Sequence, residues 1–173
     1  QLGRSVLLID ADMRRPSLHK MLGLHAKFGL ADVLTFQRTV SEVVQESPFS
    51  GIDIVSTGPL PPSPTELLAS SSLRRALDQA VEHYDIVILD GPPMMGMADA
   101  QLLAREVDGV CFVVQNGRAH RGHAKTAVRR LMNLSGNVIG ALLTKFDAKK
   151  SGYGYGYGYG YAYDYSYGKE NKA

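Results

Sequence analysis

The sequence is poor in the features that mark several large classes of protein. It holds one cysteine, Cys111, in 173 residues. No disulfide can form within the chain, which suits a reducing compartment. Cys111 lies in the apolar run Gly-Val-Cys-Phe-Val-Val and is expected to be a buried thiol. No apolar run approaches the roughly 20 residues that span a bilayer, and no secretory leader is visible. Lys and Arg total 19 against 17 Asp and Glu, a formal net charge of +2. Arg14–Arg15, Arg74–Arg75 and Arg129–Arg130 stand far apart, so no basic patch for nucleic acid or a membrane is indicated. The five histidines lack metal-ligand spacing with the cysteine; His120 and His123 are expected to flank a helix start. Ser70, Ser71 and Ser72 have no Gly-x-Ser-x-Gly turn, which argues against a hydrolase nucleophile.

What remains is the composition of one ordinary domain, with 45% hydrophobic and 21% charged residues and length enough for a sizeable core. Five apolar runs read as strands: Val6–Ile9, Ile52–Ser56, Ile86–Leu89, Val110–Gln115 and Val138–Leu143. Their low polar alternation predicts strands covered on both faces in a parallel sheet. The clearest helix runs from Thr65 to His83, with Ser63 as N-cap, Pro64 at the first position and Glu66 in the first turn. Leu67, Leu68, Leu73, Leu77 and Val81 form its apolar stripe. Further helices are expected near Leu30–Thr35, Val40–Glu46, Asp99–Glu106 and His123–Asn133. The alternation predicts a doubly wound α/β fold over residues 1–150, with its site off the carboxyl ends of the strands.

Two strands end in acid. The first closes on Asp10-Ala-Asp12-Met-Arg14-Arg15-Pro16. In an extended backbone both carboxylates would face the same way, where they could hold the hydration shell of Mg²⁺ or take a proton from an attacking hydroxyl. Against this stands a plainer reading, in which Asp10 caps the next turn and Asp12 is solvated; the pairing and the Arg-Arg-Pro that follows favour the first. A later strand reads Asp85-Ile-Val-Ile-Leu-Asp90-Gly-Pro-Pro, four apolar residues and then the aspartate of a Walker B pattern. The stiff Gly91-Pro92-Pro93 turn restricts the chain beyond it. The Met94-Met95-Gly-Met97 run reads as an adaptable loop.

Residues 151–173 differ from all that precedes them. Eight of the nine tyrosines fall here at every second position, most of them alternating with glycine. The segment has no aliphatic residue larger than alanine and cannot build a core, so it is read as a flexible tail. The last strand should run parallel to the others, which places the tail's exit on the edge of the sheet that carries Asp10 and Asp90.

Val-Leu-Leu-Ile-Asp10-Ala-Asp12-Met-Arg-Arg-Pro-Ser-Leu-His resembles the Walker A′ motif of the bacterial tyrosine autokinases of capsule and exopolysaccharide synthesis. Asp85 to Pro93 resembles their Walker B, Pro64-Thr-Glu-Leu-Leu the segment before their long helix, and the tail their autophosphorylation cluster. The likeness runs from Val6 to the tail. It implies a P-loop NTPase fold and transfer of the ATP γ-phosphate to tyrosine. Asp10 becomes the catalytic base, Asp12 and Asp90 support Mg²⁺ directly or through water, and Tyr153, Tyr155, Tyr157, Tyr159, Tyr161, Tyr163, Tyr165 and Tyr167 become the phosphoacceptors. It also implies a homo-oligomeric ring acting in trans, a transmembrane polysaccharide-length module (fused or separate), a cognate tyrosine phosphatase, no nucleic acid, and a place on the cytoplasmic face of the bacterial inner membrane.

Two departures qualify the likeness. No G-x-x-x-x-G-K-[ST] phosphate loop occurs in the sequence. The chain opens on Gln-Leu-Gly-Arg without Met, and the resemblance places that loop and one central strand upstream of Gln1. These residues alone are therefore expected to be inactive. Where the family often carries Asn before Lys to read adenine, this chain has Leu143-Thr144-Lys145, and base recognition is not assigned to Thr144. The alternatives are a P-loop ATPase of the partition or regulatory class, or a non-catalytic scaffold, with a tail used for binding.

Overall fold

A computed structural model describes residues 3–134 and 137–146. The tail and its eight tyrosines lie outside the described residues. Five strands stand where the apolar runs predicted them, with a sixth between: β1 Val6–Asp10, β2 Val44–Glu46, β3 Ile52–Val55, β4 Ile86–Asp90, β5 Val110–Gln115 and β6 Val138–Thr144. The helices are α1 Leu18–Leu22, α2 Leu30–Leu34, α3 Val40–Val43, α4 Pro64–Leu68, α5 Ser71–Val81, α6 Asp99–Arg105 and α7 Arg121–Asn133.

The α/β architecture is present, in two sheets. The larger has the order β2-β3-β1-β4, and β5 pairs with β6 in the second. β1 is central and runs parallel to both β3 and β4; β5 and β6 are also parallel, and only β2 runs antiparallel to its neighbour. The main core lies where β1 meets α2, α5 and their neighbours, around the fully buried Leu7, Ile9, Leu30, Leu34 and Leu73. Truncating such a leucine costs about 2–5 kcal/mol. A smaller cluster joins Met94, Ala104, Ala127 and Leu131. Helix α6 links the two, since Leu103 belongs to the first and Ala104 to the second.

Four expectations need correction. The helix from Thr65 to His83 is two helices, broken at Ala69–Ser70. Ser70 takes an extended backbone before α5, and its hydroxyl donates to the Leu67 carbonyl at 2.6 Å, the local competition by which serine interrupts a helix. Val81, assigned to the apolar stripe, is exposed. The Val40–Glu46 segment is helical only to Val43; its last residues pair with β3 as an edge strand, which suits the β-branched Val44. Cover on both faces holds for β1 and for β3, where the successive Ile54 and Val55 are both buried. Ile86 and Ile88 on β4, Val113 on β5, and Ile139, Leu142 and Leu143 on β6 are exposed, and so is Cys111, because β4 has a neighbour on one edge only and the β5–β6 pair stands as a sheet of its own.

Candidate active site

The parallel register sets Asp10 of β1 opposite Asp90 of β4, so the two acidic strand ends are neighbours at one edge of the sheet. The pairing continues one step past the strand, where the Ala11 N–H donates to the Asp90 carbonyl at 2.9 Å. The chain then turns sharply, with Met13 N–H donating to the Ala11 carbonyl. The extended run through Asp12 is therefore absent, and each carboxylate takes its own partners.

Asp10 is fully buried. Its Oδ2 accepts from the backbone N–H groups of Ser17 and Leu18, each at 3.0 Å, and so holds the start of α1. Its carbonyl accepts from the Thr57 hydroxyl at 2.9 Å. Its Oδ1 is buried without a hydrogen-bond partner, which is costly for a carboxylate oxygen. Asp12 Oδ1 accepts from Arg14 N–H at 3.1 Å and Arg15 N–H at 3.0 Å. Partial burial, and then the charges of Asp10 and Asp12, raise the Asp90 carboxyl above its ordinary range. The plainer reading is thus found for Asp10, which caps the turn, whereas Asp12 is half-buried and bonded to backbone N–H groups rather than solvated; both lie beside a concentration of negative charge.

A second set of residues braces this turn. Arg14 Nε meets Asp99 Oδ2 at 2.6 Å, Arg14 also donates to Thr65 Oγ1 at 2.9 Å, and Thr65 donates to Asp99 Oδ1 at 2.5 Å. Asp99 is buried. Burial pushes its carboxyl up, yet the hydrogen bonds from Arg14 and Thr65 and the Arg14 charge outweigh that and leave it lowered. Pro64-Thr-Glu-Leu-Leu thereby gains a definite role, tying α4 and α6 to the acidic turn. The sequence reading did not pair Arg14 with Asp99, which is 85 positions away.

The residues present fit a magnesium ion of a particular kind. An unpaired buried oxygen among three carboxylates calls for positive charge. Among the described residues, no group of three or more His, Cys, Asp or Glu is placed to hold a metal. Mg²⁺ does not need one, because it keeps several waters and commonly shares its shell with phosphates. None of the three aspartates lines either main cleft. One, of about 320 Å³, lies between the turn after α2 and α5, around Phe36, Arg38 and Arg75; the other, of about 190 Å³, lies between the Met94–Met95 loop, β5 and α7.

Comparison with known proteins decides the family. The family model described as an AAA domain matches residues 1–136. The tyrosine-protein kinase YwqD of Bacillus subtilis is 38% identical over 143 residues, which cover 83% of this chain. The kinase domain of the Escherichia coli tyrosine kinase ETK superposes with a TM-score of 0.80 at 33% identity, over 90% of this chain and 62% of that one. The chain belongs to the bacterial tyrosine-kinase family. It spans about 60% of YwqD. The septum site-determining protein MinD of Pyrococcus horikoshii, solved with Mg-ADP, matches at a TM-score of 0.65 and 19% identity, over 82% of this chain and 58% of that one, and so shares the P-loop fold. Among the described residues of this kinase-family chain, no helix is long and apolar enough to cross a membrane.

Proposed function

We propose that this chain is the acceptor and metal-binding part of an ATP-dependent tyrosine autokinase that phosphorylates its own tail in trans. The observation that carries the reading is the register pair Asp10–Asp90 with its unpartnered Oδ1, in a chain of the bacterial tyrosine-kinase family. Asp12 and Asp90 would hold Mg²⁺ directly or through water. When bound with ATP, the ion supplies charge neutralisation and orientation for the transferred phosphate. Asp10 accepts the proton of the entering tyrosine hydroxyl. The tyrosine oxygen bonds to the γ-phosphorus, the bond to the β-phosphate oxygen breaks, and ADP leaves. Oδ2 is committed to Ser17 and Leu18, so Oδ1 is the atom free for the proton. That oxygen is buried, and the hydroxyl reaches it when α1 shifts. Helix α1 contributes no buried residue, which makes the shift inexpensive.

The phosphate loop and its strand are proposed to come from a segment preceding Gln1, paired along the free edge of β4. The tail tyrosines Tyr153 to Tyr167 are the acceptors, a neighbouring subunit of a ring is the enzyme, and a transmembrane polysaccharide-length module and a tyrosine phosphatase are the partners. The setting is capsule or exopolysaccharide export at the cytoplasmic face of the inner membrane. Eight phosphotyrosines would add roughly −12 to −16 of charge, enough to drive tails out of acidic sites and loosen the ring. A mixing experiment tests the reading. Full-length protein with Asp10→Asn serves as acceptor and full-length protein lacking residues 151–173 as donor, with Mg-ATP. Tail phosphorylation in the mixture, and in neither protein alone, is expected; an Asp10→Asn protein that labels itself would contradict the role of Asp10.

A further inference from the structure

The small net charge conceals a separation that the fold makes spatial. Residues 1–108 carry nine Lys and Arg against fourteen Asp and Glu, whereas residues 109–146 carry six Lys and Arg and no acid. Five of the six, Arg118, Arg121, Lys125, Arg129 and Arg130, lie on α7 or the turn leading into it, and all five are exposed. Arg121, Lys125 and Arg129 recur at i, i+4 and i+8, which lines them along one side of the helix, while Ala127 and Leu131 are its buried residues. Among the described residues none of the six has a carboxylate partner, the ion pairs being Arg14–Asp99, Arg38–Glu42 and Arg74–Glu106. Cations already close in sequence are thus lined along one side of α7 without a carboxylate partner among the described residues.

The last strand ends close to the start of this face. Thr144 at the end of β6 pairs with Gln115 at the end of β5, and Asn116 N–H donates to the Thr144 carbonyl at 2.9 Å. Six positions after Gln115, α7 begins at Arg121. Tyr153 stands seven positions beyond Phe146, a distance that a chain spans with up to ~25 Å, or typically ~15 Å as a Gly-rich coil. Helix α7 is 13 residues long, about 20 Å. The first few tail tyrosines therefore reach its whole cationic side.

We propose that the phosphorylated tail docks on α7, with the phosphotyrosines held by Arg121, Lys125, Arg129 and their neighbours. The proposal rests on the reading that the tail tyrosines are acceptors. Residues 147–173 carry four Lys against three Asp and Glu, so the unmodified tail gains nothing from a cationic face. Each phosphate adds about −1.5 to −2, so a single one reverses the sign of the segment. Phosphorylation then moves the tail from the acidic site to the basic helix and keeps the product away from the next round.

A synthetic peptide of residues 151–167, with Tyr153, Tyr155 and Tyr157 phosphorylated, tests the docking on the full-length protein by fluorescence anisotropy, without using the kinase reaction. It should bind at least about tenfold more tightly than the unphosphorylated peptide. The double variant Lys125→Glu, Arg129→Glu should lose about tenfold or more, while Lys27→Glu, Arg105→Glu, an equal change of charge elsewhere, should stay within about twofold. Equal binding of the two peptides, or equal loss in both variants, would overturn the proposal. So would tighter binding of phosphatidylserine vesicles to α7 that the phosphopeptide fails to displace. Failure of autophosphorylation in the mixing experiment would leave the peptide result unchanged, so the two readings fail separately.

Discussion

Arg14 shows how much of the acidic turn depends on one side chain. It is the cationic partner of a buried carboxylate, and removing it leaves Asp99 uncompensated. Arg14→Ala should lower the denaturant midpoint clearly, because it leaves a buried carboxylate unpaired, and Asp99→Asn should lower it less. The sign with pH follows from the lowered Asp99 carboxyl: its contribution is present above the unfolded value and is lost as pH falls through the folded one. Asp90 works the other way. Its carboxyl is raised by burial and by Asp10 and Asp12, so its folded state favours the proton and its ionised form weakens the metal-free fold as pH rises. Asp90→Asn should therefore raise Tm by a few degrees at neutral pH without Mg²⁺, and thermal melts across pH should show the gap between variant and wild type opening as pH rises from the ordinary carboxylate value to the raised one. Tyr84 is the tyrosine outside the tail. Its hydroxyl donates to Asp53 at 2.8 Å, and burial followed by Asp53 pushes it up to about 12. It also precedes β4, at the end of that strand away from Asp90. Phosphosite mapping should find it unmodified, and Tyr84→Phe should cost about 1 kcal/mol.

At the scale of elements, the joint between α2 and β3 is the most exacting. Gly58 has φ +77°, and a Cβ there would come within 2.6 Å of the Gly29 nitrogen and 2.8 Å of Asp32 Oδ2. Asp32 in turn accepts from Gly29 N–H at 2.8 Å. Gly58→Ala combines left-handed strain with a backbone clash and should cost more than about 2 kcal/mol, measured by chemical denaturation; a near-neutral result would contradict the close approach. Nothing in the sequence marked this contact. Pro64 did mark the start of α4, and the apolar runs marked five strands, because burial and backbone restriction act locally. Ser70 was visible as a helix-disfavouring residue but was outweighed by the leucines around it. The Arg14–Asp99 pair depends on a partner 85 positions away, which periodicity does not encode; the β2–β3 pairing is local, but three residues are too few to show strand alternation. The open faces of β4, β5 and β6 were misread for a related reason: an apolar strand reads the same whether or not a neighbour covers it.

At the scale of the whole molecule, the strand order brought Asp10 and Asp90 together as the two acidic strand ends suggested, while the cations of residues 118–130, passed over in the sequence by attention to separate Arg pairs, line one side of α7. The split between an acidic sheet edge and a basic helix gives the tail two destinations that its phosphorylation state selects. The central claim is that this edge transfers phosphate to the tail. Mass-spectrometric mapping of the full-length protein after incubation with Mg-ATP tests it most directly. The account predicts phosphate on tyrosines between Tyr153 and Tyr167 and not on Tyr84, reduced by about a hundredfold or more in rate by Asp10→Asn. Phosphate absent from the tail, or a tail labelled equally well by the Asp10→Asn protein, would contradict it.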